Sequence, residues 1–115
     1  MTELLHDGVL FVCMLDDITE NGSMPHQTLR KIQRHWYGER MVGYGRYYAA
    51  LGVNEEIDML VRIHHDRRVR IGMFAVLGNG EQFRITNVQQ LIADDGLRCT
   101  DLTLRRLEKN YDLTE

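Results

Sequence analysis

Residues 69–92, VRIGMFAVLGNGEQFRITNVQQLI, decide the fold class. Val69, Ile71, Met73, Ala75 and Leu77 recur at every second position, the period of a strand with one face turned to a core. Gly78-Asn79-Gly80 follows, and Asn-Gly is favoured in tight hairpins because both central residues take positive φ. The returning strand, residues 82–92, carries Phe83 and Ile85 and changes face near Asn87-Val88, as a bulge would make it do. Asp94-Asp95-Gly96 then turns the chain into a last strand, residues 97–107. The tail, residues 108–115, is polar except for Tyr111 and Leu113, and either frays or docks on a partner.

The same reading extends toward the N-terminus. Ile57, Met59, Val61 and Ile63 alternate with Asp58, Leu60, Arg62 and His64, a half-buried strand, and residues 65–68 form a polar turn. Residues 8–15, GVLFVCML, are continuously apolar and of strand length, which reads as a strand buried on both faces. Residues 16–30, DDITENGSMPHQTLR, concentrate Asp-Asp, Asn-Gly, Ser and Pro and read as a long loop, the first place to look for function. Residues 31–37 are extended, with Ile32, Arg34 and Trp36 on one face. Met41, Tyr44, Tyr48 and Leu51 recur at helical offsets before Gly52, a short helix weakened by Gly43 and Gly45. The expected fold is therefore mainly β: one domain over residues 1–115, a small antiparallel β-barrel or curved sheet with one short helix and a long loop after the first strand.

Composition agrees with a globular chain. Its 115 residues are 43% hydrophobic and 27% charged, with ten glycines and one proline, which excludes collagen-like and disordered classes. No apolar run reaches the roughly 18 residues of a membrane-spanning helix. The start, MTELLHDGVLFVCML, carries acids where a secretory signal carries basic residues, so a cytoplasmic product is expected. Cys13 and Cys99 lie far apart and read as buried free thiols.

Charge is unevenly spread. Residues 1–29 hold −5 with no Lys or Arg, residues 30–70 hold +4 and residues 71–115 hold −2, for a net −3. Tight duplex binding calls for a clear basic excess, because affinity comes from neutralising phosphates, and this chain has none overall. Arg67, Arg68 and Arg70 form the one basic cluster, either a solvated turn or a contact to an acidic neighbouring subunit or to DNA. Twelve of the fourteen basic residues are Arg, the cation favoured at interfaces.

No catalytic constellation emerges. His6, His26, His35, His64 and His65 lack ligand spacing, and adjacent histidines on a strand point to opposite faces. Ser23, the only serine, is not in a nucleophile elbow. Asp16-Asp17 and Asp94-Asp95 lie in turn sequences, where Asp caps backbone. Gly43-Tyr44-Gly45 is too little for a phosphate loop. A non-enzymatic chain without metal or other cofactor is expected.

Three stretches resemble the bacteriophage head–tail joining (head completion or stopper) family. They are Trp36-Tyr37-Gly38-Glu39 leading to Gly45-Arg46-Tyr47-Tyr48-Ala49-Ala50; strand 57–64 followed by Arg70-Ile71-Gly72-Met73; and the hairpin from Gly78 through Val88. The resemblance covers residues 8–108. It implies a structural virion protein of the phage neck, assembled in the host cytoplasm: a small β-barrel in a ring, dodecameric in the family, between portal or adaptor and tail. That ring surrounds or gates the DNA exit channel and touches DNA only transiently. Asp16, Asp17, Glu20, Asn21 and Gly22 then become the candidate channel or gating loop, with Arg67, Arg68 and Arg70 as partner-interface candidates. The alternative is a small β-barrel nucleic-acid-binding module, which needs aromatics exposed beside basic residues on one sheet face.

Overall fold

The computed structural model describes residues 5–18, 26–40 and 59–114. These form seven strands: β1 (Gly8–Ile18), β2 (His26–Glu39), β3 (Met59–His64), β4 (Phe74–Leu77), β5 (Gln82–Ile92), β6 (Arg98–Arg106) and β7 (Asp112–Thr114). The sheet runs β1-β4-β5-β6-β3-β2-β7, and an additional β1–β2 pairing brings its ends together. Six antiparallel pairings thus close a ring of strands, while β7 adds to β2 in parallel. The fold is mainly β and curved, as expected, but its closure is ring-like rather than that of a regular barrel. β3 meets β2 over only three residues, and β4 meets β1 over four.

Leu10, Val12, Tyr37, Val61, Ile63, Ala75, Leu77, Phe83, Ile85, Leu102 and Leu104 fill the inside of the ring. β1 is covered on both faces, as its continuous apolar run predicts. Leu10 and Val12 join this main core, whereas Phe11, Cys13 and Leu15 join a second cluster with Leu29, Phe74, Val76, Leu107 and Tyr111. The tail makes that second cluster possible. Tyr111 stacks edge-on against Phe74 at 5.7 Å between ring centroids, and its backbone N–H and C=O both bond the Gln82 side chain. The tail therefore docks on its own chain and continues into β7.

Several expectations are corrected. Residues 16–30 are not a loop throughout: β1 continues to Ile18 and β2 begins at His26, so the ladder includes Asp16, Asp17 and residues 26–30. Turn-forming residue types set only a weak local preference. Here a cross-strand ion pair, Arg30 Nε to Asp16 Oδ2 at 2.7 Å, and the buried Thr28 and Leu29 outweigh it. Within β2, Val12 pairs with Gln33 and Cys13 with Lys31, so Ile32 is an extra, bulged residue. That shift separates Ile32, packed on the core, from Trp36, which is 50% exposed, although strict alternation puts them on one face.

The strand expected from Val69 is shortened to Phe74–Leu77. Val69 is buried but Ile71 is exposed in a turn, where Met73 N–H donates to Arg70 C=O and Gly72 takes φ +95°. The Gly78-Asn79-Gly80 hairpin exists with a three-residue connection. Gly80 N–H donates to Leu77 C=O, Leu77 N–H to Glu81 C=O, and Gly80 alone of the glycines there has positive φ. Ala93 to Leu97 repeats the same device around Gly96. The bulge near Asn87 is present, at Thr86. The short helix expected over 41–51, and Gly52, lie outside the described residues.

Candidate functional site

Three polar regions are built by this frame. The first closes one end of the ring interior. Asp66, 8% exposed, sits in the turn after β3, and three bonds tie it to β5 and β6: its N–H donates to Thr100 Oγ1, that hydroxyl donates to Gln90 Oε1, and Gln90 Nε2 donates to Asp66 C=O. Its carboxylate accepts from Arg68 N–H at 2.8 Å, an Asx turn, and from the Arg68 guanidinium at 3.1 and 2.9 Å. His35 Nε2 lies 2.9 Å from Gln33 Oε1 and 3.4 Å from Asp66 Oδ2; both are acceptors, so that nitrogen carries the ring proton. Hydrogen bonding from Arg68 holds the Asp66 carboxyl below its ordinary range, and burial pushes His35 down, partly opposed by the Asp66 charge.

On the other sheet face Arg62 and Asp101, paired in register on β3 and β6, are both buried and joined by a fork of 2.7 and 3.1 Å. The half-buried strand expected at β3 is thus buried on its polar side too, because the pair neutralises itself. Nearby, Gln89 Oε1 and His65 Nδ1 are buried with no hydrogen-bond partner among the described residues.

The second region is the β1–β2 arm. β1 pairs with β4 only through Leu10–Cys13; beyond it, residues 14–18 have β2 on one side and no strand on the other among the described residues. At about 3.3 Å per residue, the fourteen residues of β2 span about 46 Å, most of the 54 Å long dimension. Asp16 is bonded to Arg30, and Asp17 is exposed on the same ladder. Glu20, Asn21 and Gly22 lie outside the described residues. Burial raises the Cys13 thiol to about 11, with Lys31 opposing, which leaves it an inert apolar side chain at the root of this arm.

The third region was not visible in the sequence. β5 and β6 set Arg84 directly opposite Arg105. Both are exposed, and they open onto a groove of about 1020 Å³ between the β5–β6 ladder, the tail and Gln27 of the arm. Arg84 lies over the Phe74 ring at 5.5 Å. Neither arginine has an ion-pair partner among the described residues.

Of the residues singled out in advance, Arg67, Arg68 and Arg70 do share one turn region and are exposed, but only Arg68 is fixed by a carboxylate. The structure does not bring them to the arm acids through any contact. Among the described residues no three His, Cys, Asp or Glu side chains gather as a metal site, and no helix is long and apolar enough to cross a membrane. Neither the protein-family models nor the curated proteins give a match to this chain.

Proposed function

We propose that this chain is a structural, non-enzymatic ring subunit of a phage neck, seated between a portal or adaptor and a tail. The observation that carries the reading is the arm: a strand ladder extending past the ring, in which one edge of β1 over residues 14–18 has no strand partner among the described residues. An open edge is a ready template on which a neighbour adds a strand. A repeated contact between two different surfaces of identical subunits closes into a ring when its rotation divides a full turn. The acidic bias of residues 1–29 against the basic bias of residues 30–70 supports such a heterologous contact.

In this reading Asp17 and Glu20 face the channel and repel DNA phosphate, so that the duplex slides, with Asn21 and Gly22 in the gating loop, while Asp16, on the opposite strand face and paired with Arg30, braces the arm. The deciding experiment adds the purified protein to tailless, DNA-filled heads of its phage. The expected result is retained DNA and restored tail attachment. Heads that leak and refuse tails despite the added protein would sink the proposal. Shortening residues 19–25 to a tight turn tests the gate separately, with DNA leakage as the expected result.

One observation favours the alternative, a nucleic-acid-binding module: Trp36 is half exposed with the Arg34 guanidinium 5.6 Å from its ring centroid. An aromatic beside a cation is the stacking platform of single-strand binders. Submicromolar binding of single-stranded DNA at about 0.15 M salt, lost in Trp36→Ala, would establish that reading in place of the neck ring.

A further inference from the structure

The groove beside β5–β6 is a second binding surface, independent of the arm edge. We propose that it binds an extended acidic segment of a partner protein, with Arg84 and Arg105 gripping its carboxylates.

The argument starts from cost. Like charges placed directly opposite on neighbouring strands destabilise a sheet, yet Arg84 and Arg105 are register partners. Among the described residues the exposed Arg30, Arg68 and Arg106 each hold a carboxylate while Arg34, Arg67, Arg70 and Arg98 do not, but only Arg84 and Arg105 face each other across a ladder. Arg84 and Arg105 have none among the described residues, although Glu108 lies on the groove wall and Lys109 adds a further cation. Two guanidinium forks a cross-strand spacing apart, roughly 5 Å between Cα atoms, suit oxyanions carried on one strand-like ligand. Arg pairs with carboxylate or phosphate in bidentate fashion.

The rest of the lining separates the two oxyanions. Gln27, Thr86 and Asn110 offer neutral donors and acceptors, which match the amides of an extended peptide. Among the described residues the groove's lining has one aromatic, Tyr111, and its ring is engaged elsewhere. Phe74 is buried, and Tyr111 is half buried and engaged edge-on with Phe74. The volume, about 1020 Å³, is at the upper end of small-molecule pockets and suits a peptide segment.

The test uses the full chain and two fluorescent probes of ten units, oligoglutamate and oligothymidylate, followed by anisotropy at about 50 mM salt. The expected result is binding of the oligoglutamate, weakened about tenfold or more in Arg84→Gln/Arg105→Gln and unchanged in Arg67→Gln/Arg70→Gln. Arg84→Lys/Arg105→Lys, which keeps the charge and removes the fork, should lie between. Thermal melts of each variant separate loss of binding from loss of fold. The proposal is overturned by oligothymidylate binding as tightly with the same dependence on Arg84 and Arg105. It is equally overturned if the folded glutamine variant keeps full affinity, or if the oligoglutamate does not bind at all. None of these outcomes depends on whether the chain forms a neck ring.

Discussion

Arg62 and Arg84 sit on two strands of the same ring and differ in almost everything that matters to an arginine. Arg62 is buried, forked onto Asp101 and matched strand to strand with it. Arg84 is exposed, faces Arg105, and lies over the Phe74 ring. The first arrangement is closed: the two charges share a fork in a dry place, and removing either takes that compensation from the other. The second is open, with donors left over and solvent to hold them. One residue type thus serves as an internal strut in one place and as unspent recognition capacity in the other, and the register of the sheet decides which.

The comparison can be broken most forcefully at Asp101. Asp101→Ala removes the fork from the buried Arg62 guanidinium and should lower stability by about 3–5 kcal/mol, read as the urea midpoint, whereas the paired change Arg62→Met/Asp101→Leu should cost less than Asp101→Ala alone.

Acid should act next, through the Asp66 network. His35 is held below its ordinary 6.5, so the unfolded chain takes up the proton first; that contribution is complete above 6.5 and lost as pH falls through the folded value. Asp66 is held below its ordinary 3.8, so its contribution is present above 3.8 and disappears as pH falls through the lower folded value. Thermal melts between pH 8 and pH 3 should show two successive declines, of which His35→Gln removes the upper and Asp66→Asn the lower. A melt flat across this range would refute both.

A smaller contrast lies within one turn. Arg68→Gln should reduce the melting temperature because it loosens Asp66, and Arg67→Gln, which breaks no bond, should leave it unchanged. Smallest of all, Arg84→Gln/Arg105→Gln should leave stability equal or raise it, by about 0.2–1 kcal/mol, through relief of the opposed charges. A marked loss there would make the open pair structural after all.

Much of the strand layout was legible in the sequence because period-two patterns and Gly-containing turns are local. The hairpins at Gly80 and Gly96, β5 over residues 82–92 and the bulge beside Asn87 could all be read from spacing. Registers were harder, and the candidate groove depended on one. Counting outward from the Asp94-Asp95-Gly96 turn, Ile92 pairs with Arg98 and Arg84 should meet Arg106; the extra residue at Thr86 moves the partner by one, to Arg105. A single bulge therefore created the facing arginines, and a period alone does not place it to the residue. The same device at Ile32 hid which of Ile32 and Trp36 is exposed. Asp66 escaped notice because its partners, Thr100 and Gln90, come from strands more than twenty residues away. The extension of β1 through Asp16 and Asp17 was obscured by composition, since those residue types favour turns until a ladder holds them.

Closure of the ring also has a kinetic side. Leu10 meets Leu77 and Met59 meets Leu104, contacts between points far apart along the chain, and only the β1–β2, β4–β5 and β5–β6 pairings begin between residues close in sequence. Loop-closure entropy must be overcome before such distant pairings return any stabilisation, so folding belongs to the millisecond-to-second regime of non-local β topologies. Until β1 docks on it, the outer edge of β4, with Phe74, Ala75, Val76 and Leu77 in an unbroken apolar row, stays uncovered. During those moments the folding chain exposes an adhesive edge, and β1 acts as its own gatekeeper against aggregation.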